Sequence, residues 1–164
     1  MRVLGVVGWS GAGKTTLIEG VLPHLVGAGM RVSTVKHAHA GFEMDRPGKD
    51  SWRHRMAGAG EVMVAGAGRW ALLHEVVGEE PGVEALVERL APCDLVLVEG
   101  WKGHRYPKIE VYRAGLGKGA LWPEMAGVVA VASDGVVAGC PVPVLALDAP
   151  GLVATWICGM AWGA

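Results

Sequence analysis

The sequence predicts an α/β protein with a mainly parallel sheet, because short, continuous apolar runs alternate with segments of helical pattern. Each run is rich in Val and Leu and ends at Gly, Pro or a charged residue, which is typical of strands buried on both faces. Helical segments between several runs give the strand–helix order of a parallel sheet. The five strands are expected at Arg2–Val7, Arg31–Val35, Asp94–Val98, Val128–Ala132 and Val142–Leu147.

The segments between these strands complete the prediction. Two further apolar stretches flank the turn sequence Gly-Ala-Gly-Arg, which indicates a β-hairpin extension over about residues 61–77. A sixth strand is expected at Lys108–Arg113. The expected helices are Lys14–Val26, Asp50–Ala57 and Val83–Leu90, and the two hairpin strands are Glu61–Ala65 and Trp70–Val77.

Length and composition fit one domain over residues 1–164. Half of the chain is hydrophobic (51%), so a substantial core can be buried. The formal net charge of −1 provides no global field toward nucleic acid or a membrane. Three cysteines without a Cys-x-x-Cys pair favour reduced thiols and the cytoplasm. The uncharged segment 149–164 is shorter than the ~20 residues of a membrane span, so we expect a core helix or a subunit contact there.

A glycine-rich segment carries the most specific motif. Gly8-Trp9-Ser10-Gly11-Ala12-Gly13-Lys14-Thr15 fits G-x-x-x-x-G-K-[ST] and lies between an apolar strand and a helix, the context that a phosphate loop needs. Its glycines let backbone N–H groups surround an anion, and the helix adds the positive end of its dipole. We expect Lys14 to reach the β- and γ-phosphates, Thr15 to bind Mg²⁺ and Thr16 to donate to the α-phosphate. The sequence therefore predicts a three-layer P-loop NTPase fold.

An acidic residue ends one expected strand. The run from Asp94 to Glu99 resembles a Walker B strand, and Glu99 would lie at the carboxyl edge of the sheet, where ligands bind. Asp94 begins the strand and belongs to the opposite edge. We therefore assign Glu99 to the metal or to a nucleophilic water, with a capping or solvated carboxylate as the alternative.

Polar residues cluster after the second expected strand. His37, His39 and Asp45 have the chemistry of metal ligands, but no further ligand follows at a convincing spacing. We expect instead a wall around the nucleotide, with Asp45 near Mg²⁺ and catalysis, and with Arg53 or Arg55 available for anions. The alternative is a helix with a solvated charged face.

The base of the nucleotide is harder to place. Guanine-binding proteins use [NT]-K-x-D after a strand, and this chain has no Asn and no Thr-Lys pair. Asp134 follows an apolar strand where that motif would fall, and its carboxylate suits the N1–H and N2–H₂ donors of guanine. An ordinary turn aspartate before Gly135 is the alternative.

Five segments follow one another in an ordered series: the P-loop with Thr16-Leu17, Val35-Lys-His-Ala-His39, Gly48-Lys-Asp-Ser-Trp-Arg-His-Arg55, Val98-Glu-Gly-Trp-Lys102 and Pro107-Lys-Ile-Glu-Val111. Over roughly Met1 to Asp134 this series resembles the molybdopterin-guanine dinucleotide biosynthesis protein B family, MobB. The resemblance implies a homodimer that binds GTP, hydrolyses it weakly and assists the guanylyltransferase that attaches GMP to molybdopterin. It also implies that the hairpin belongs to the dimer interface.

Two alternatives from other classes stay open. One is a small-molecule P-loop kinase, whose arginine-bearing lid would have only Arg105 and Arg113 to draw on. The other is a nucleotide-gated metallochaperone with His37, His39 and Cys93 as ligands, although this chain has Ala40 where the family commonly shows a further His. No arginine finger is identifiable, so we expect hydrolysis below about 1 s⁻¹.

Overall fold

A computed structural model describes residues 1–38 and 41–162 of the chain. The chain forms two compact units, one of Met1–His37 with Val83–Ala164 and the other of Ala38–Gly82. Within the described residues, every helix is too short or too polar to cross a bilayer.

The first unit contains a six-stranded sheet in which every pair of neighbours is parallel. Its strands are β1 (Arg2–Val7), β2 (Val32–Lys36), β5 (Leu95–Glu99), β6 (Lys108–Tyr112), β7 (Val128–Ser133) and β8 (Val144–Ala146). They lie in the order β2-β5-β1-β6-β7-β8. Strand β1, which leads into the glycine-rich loop, is therefore central. The helices of this unit are α1 (Lys14–Gly27), α3 (Val83–Val87) and α4 (Pro150–Gly159), with a short 3₁₀ helix at Ala114–Leu116.

Both faces of the sheet are covered, which explains why β1 and β5 are apolar at most positions. Successive side chains of a strand point to opposite faces. Leu4 of β1 joins a core with Leu25 of α1 and Val153 of α4, whereas Val3 joins a second core with Val83 of α3. Helices on both sides of a parallel sheet make three layers, so the predicted fold class is confirmed.

The second unit contains α2 (Asp50–Met56) and the strands β3 (Glu61–Ala65) and β4 (Trp70–His74). The two strands pair antiparallel, with Glu61 opposite His74 and Ala65 opposite Trp70. The hairpin is therefore confirmed. Its second strand ends three residues before the expected Val77, whose surface is 97% exposed.

One helix is shorter than expected, and another is the core helix expected near the carboxyl end. Helix α3 ends at Val87, not at Leu90, because the next residues close tighter turns in which the Leu90 N–H bonds Val87 O. Helix α4 packs its buried Val153 and Ile157 against the core. The core helix expected near the carboxyl end is therefore present.

Candidate functional site

The loop between β1 and α1 has a backbone that only glycine adopts easily. Gly8 and Gly13 have φ of +148° and +98°, in a region that other residues rarely enter. A Cβ on Gly8 would also lie 2.5 Å from the carbonyl oxygen of Val111. Gly13 ends the loop in a left-handed conformation, and α1 begins at Lys14. The glycines therefore let the loop run close to β6 and lead directly into the start of α1.

The side chain of Lys14, the first residue of α1, reaches back to this loop. Its Nζ donates to the carbonyl oxygens of Gly8 and Trp9, both at 3.0 Å. Burial lowers the pKa of Lys14, Glu99 opposes that shift, and the positive charges of Lys102 and Lys36 add to it. Three ammonium groups within electrostatic reach of one another make this edge of the sheet attractive to a polyanion.

Thr15 and Glu99 meet at the carboxyl edge, as the two motifs led us to expect. The Thr15 hydroxyl donates to Glu99 Oε1 at 2.6 Å, and Lys36 Nζ lies 3.7 Å from Glu99 Oε2. Parallel β5 and β1 explain the meeting, because Glu99 lies beside Val6 at the end of β1. Asp94 begins the strand region at the other edge, where it pairs with Arg31 at 3.5 Å. A hydroxyl and a carboxylate oxygen side by side are ligands that suit Mg²⁺.

Trp9 connects the P-loop with a second loop, which runs between β6 and β7, and no local pattern in the sequence indicates that contact. Its indole N–H donates to the carbonyl of Gly119 at 2.8 Å. The ammonium groups of Lys102 and Lys118 lie 4.4 and 5.9 Å from its ring centroid. These cation–π contacts bring two more positive charges to the rim of the P-loop.

Glu110 anchors the same loop between β6 and β7 by accepting two of its backbone N–H groups. This carboxylate in β6 is fully buried and accepts the N–H groups of Leu121 at 2.7 Å and Trp122 at 2.8 Å. Charged hydrogen bonds of this kind are about twice as strong as neutral ones. The segment that carries Gly119 is therefore anchored close to the P-loop.

Asp134 lies at the end of β7 and is paired with Arg113. Arg113 Nη1 donates to Asp134 Oδ2 at 2.7 Å, and Arg113 Nε donates to the P-loop carbonyl of Ala12 at 3.0 Å. Sequence reasoning named Arg113 only as a lid arginine. Its position at the end of an expected strand, at the carboxyl edge of the sheet, marks it as a candidate site residue but does not indicate its partners.

Asp45 lies in the second unit, where Arg55 holds it. The Asp45 side chain is only 6% exposed, and its Oδ1 accepts from Arg55 Nη2 at 3.0 Å. Glu43 and Glu75 contact the same guanidinium at 2.9 and 3.1 Å. These hydrogen bonds raise the pKa of Arg55, Asp45 first among them. Of the two arginines expected to be available for anions, Arg55 is ruled out because three carboxylates surround it, whereas Arg53 stays a prediction. The Mg²⁺ role of Asp45 also stays a prediction.

The alternative metal ligands receive no support from the residues that the structure describes. His37 stacks on Trp101, with ring centroids 4.3 Å apart, and His39 lies outside the described residues. Across 1–38 and 41–162, no group of three or more His, Cys, Asp or Glu side chains is placed to hold a metal ion. All three cysteines carry free thiols.

The parallel sheet between two layers of helices and the glycine-rich loop before α1 define an α/β protein of the P-loop NTPase class. A family model described as "Molybdopterin guanine dinucleotide synthesis protein B", MobB, matches residues 3–134. The chain belongs to the MobB family, which confirms the resemblance seen in the sequence.

Known proteins agree with this assignment. The molybdopterin-guanine dinucleotide biosynthesis adapter proteins of Haemophilus influenzae and Escherichia coli are each 42% identical to the chain, over 113 and 118 residues. The matches cover 68% and 70% of this chain and 63% and 67% of those proteins, so the chain spans about two thirds of the length of these curated relatives.

Solved structures of the family share the fold. A MobB homologue from Bacillus stearothermophilus is 30% identical with a TM-score of 0.69, and the match covers 97% of each chain. Bacillus subtilis MobB is 25% identical with a TM-score of 0.76, and the match covers both chains completely.

Proposed function

We propose that this chain is a GTP-binding adapter protein of molybdenum cofactor biosynthesis, which assists the attachment of GMP to molybdopterin and hydrolyses GTP slowly. Its family membership and the names of its relatives support the pathway. The geometry of the P-loop supports the nucleotide. The single observation that carries the proposal is the contact of Thr15 with Glu99 at 2.6 Å beside a glycine-rich helix start.

Each P-loop residue has a role in this proposal. The backbone N–H groups from Gly8 to Gly13 surround the phosphates, and Lys14 gives up its carbonyl partners to bind the β- and γ-phosphates. Thr15 and Glu99 would hold Mg²⁺, which supplies charge neutralisation of the phosphates when bound. Glu99 also orients a water molecule. The exposed Thr16 hydroxyl donates to the α-phosphate, and Asp134 accepts from the guanine edge.

The bonds of Arg113, an arginine that contacts the P-loop, support the proposal of slow hydrolysis. Arg113 is engaged with Ala12 and Asp134, a P-loop carbonyl and a carboxylate beyond it. Without an arginine directed at the terminal phosphate, hydrolysis loses on the order of 10³-fold or more. Binding and partner contact, in this proposal, are the main events, and turnover by the isolated protein above about 1 s⁻¹ would contradict it.

Calorimetric titration tests the nucleotide. GTP, GDP and ATP with Mg²⁺ are titrated into the wild type, Lys14→Ala and the control Arg89→Ala, which removes a positive charge from an exposed residue after α3. We expect selective GTP binding by the wild type and the control, and at least a tenfold loss in Lys14→Ala, since Lys14 contributes a charged contact. Equal affinity of Lys14→Ala and wild type would contradict the proposal, and an ATP preference would favour the kinase alternative.

The proposal includes a cytoplasmic homodimer joined through the hairpin. Its support is the set of large apolar side chains that β3 and β4 expose, in particular Met63 at 62% and Trp70 at 68%. Exposed apolar patches of this kind mark contact surfaces. Analytical ultracentrifugation of Trp70→Glu should show a monomer, whereas the control Trp9→Glu should keep the oligomeric state of the wild type. A wild-type monomer at micromolar concentration would refute this part.

The adapter role needs a partner, and the proposal names the guanylyltransferase. Purified guanylyltransferase is mixed with the chain in the presence of GTP, of GDP or of no nucleotide, and complex formation is followed by calorimetry. We expect the GTP-bound form to bind most tightly. Equal binding in all three states would remove nucleotide control from the proposal.

A further inference from the structure

Arg113 follows β6 directly and contacts two parts of the site that lie far apart in the sequence. It donates from Nε to the Ala12 carbonyl at 3.0 Å and from Nη1 to the Asp134 carboxylate at 2.7 Å. Each side chain of the Arg113–Asp134 pair is partly open to solvent, 38% and 42% exposed. The pair therefore belongs to the candidate site at the carboxyl edge of the sheet, and a ligand can reach it from solvent.

An open cavity of about 450 Å³ is lined by Asp134 of this pair and by residues of β8 and of the segment after β7. Asp134 and Asp148 provide carboxylates in its wall, and Val137 and Val144 provide apolar surface. Apolar walls with a few convergent polar groups are typical of small-molecule pockets. The strand ends of an open parallel sheet are also the edge at which such ligands bind.

We propose that Arg113 is a specificity-determining residue for the purine base and that it acts together with Asp134. The inference rests on the proposed binding of GTP. The chain has no [NT]-K-x-D motif, in which a lysine stands two residues before the aspartate. Arg113, from the neighbouring strand β6, supplies the missing cation beside Asp134.

The chemistry of the pair favours guanine over adenine. Arg113 occupies Asp134 Oδ2, so it fixes the orientation of the carboxylate and leaves Oδ1 to accept from N1–H and N2–H₂ of guanine. Adenine presents an acceptor, N1, at the corresponding position, and it would face a carboxylate oxygen. The two bonds of Arg113 use two of the five N–H donors of its planar guanidinium, which also offers a flat face to the base.

The test separates the base from the phosphates. GTP, ITP, XTP, ATP and pyrophosphate, each with Mg²⁺, are titrated into the full-length wild type, Arg113→Gln, Arg113→Lys, Asp134→Asn and the control Arg89→Gln. For Arg113→Gln we expect GTP affinity to fall by about tenfold or more, because the variant loses the charged bond to Asp134 beside the base. Pyrophosphate affinity should fall less than about threefold, because the other lost bond goes to the Ala12 carbonyl, an acceptor that does not itself bind a phosphate.

The other variants give the pattern that a base-reading pair requires. Arg113→Lys should keep part of the GTP preference, because it retains the charge and loses the planar fork. Asp134→Asn should gain XTP binding at the expense of GTP, since its amide donates to the O2 carbonyl of xanthine. Arg89→Gln should match the wild type with every ligand.

Three outcomes would overturn the inference. The first is a GTP-to-ATP ratio in Arg113→Gln equal to that of a GTP-selective wild type. The second is a loss of pyrophosphate binding as large as the loss of GTP, which would confine Arg113 to the P-loop. The third is Asp134→Asn with no gain of XTP. A wild type that binds none of the nucleotides would refute the proposed function itself, which is a distinguishable result.

Discussion

Replacing Glu110 by Gln tests the hydrogen bonds that anchor the loop between β6 and β7. The carboxylate is fully buried and accepts two backbone N–H groups, from Leu121 at 2.7 Å and Trp122 at 2.8 Å. Glutamine keeps one acceptor oxygen and turns an NH₂ group toward the other N–H. One charged hydrogen bond, about 1.5–3 kcal/mol, is lost and one donor stays unpaired, about 1–3 kcal/mol.

Relief of the buried charge offsets part of that loss, so we expect Glu110→Gln to lower the free energy of unfolding by about 2–4 kcal/mol. For a chain of this length the midpoint of thermal unfolding should fall by roughly 5–15 °C. Urea unfolding followed by circular dichroism measures the change, and Glu124→Gln, an exposed residue of the same segment, is the control. A loss within about 0.5 kcal/mol of the control would refute the assigned role of Glu110.

Three further predictions concern single groups. Gly8→Ala should destabilise the fold by about 2 kcal/mol or more in urea unfolding, because its Cβ would lie 2.5 Å from Val111 O at a φ of +148°; the control Gly103→Ala, which has open space, should change stability by less than about 0.5 kcal/mol. Glu99→Gln should weaken Mg²⁺-dependent GTP binding about tenfold in titrations while leaving Mg²⁺-free binding within about threefold; an unchanged Mg²⁺ dependence would count against a metal role for Glu99. Burial lowers the pKa of Lys108 from 10.5. Between the folded pKa and 10.5 the unfolded chain therefore binds more protons than the folded chain, so stability must rise with pH. The free energy of unfolding of the wild type relative to Lys108→Met should increase toward pH 10.5, and a difference that does not change with pH would contradict the lowered pKa.

The sequence was most informative where local pattern and burial coincide. The central strands are buried on both faces, so their apolar runs marked β1 and β5 to within a residue. The P-loop was readable because its chemistry lies in eight consecutive residues between a strand and a helix. The hairpin was readable because a glycine-rich turn separates its two strands.

The contacts across strands were not readable, because they depend on the order of the strands in the sheet. Nothing local to Arg113 indicates that β6 lies beside β1, so its bond to Ala12 could not be foreseen. The same holds for Trp9 and Gly119, which are 110 positions apart. Arg55 was misjudged for a related reason: its three carboxylate partners come from a loop and from the end of the hairpin, not from its own helix.

The order of the strands also explains how a single arginine can contact both sides of the candidate site. Glu99 at the end of β5 and the loop after β1 form the side to which we assign the phosphates, whereas Asp134 after β7 and Asp148 beyond β8 lie on the other side. Strand β6 runs between β1 and β7, so a residue at its carboxyl end is within reach of both. Arg113 occupies that position and bonds to each side. A base that binds against Asp134 would therefore change the bonding of the same guanidinium that donates to the P-loop carbonyl of Ala12, and this change would provide a direct route from base identity to phosphate geometry.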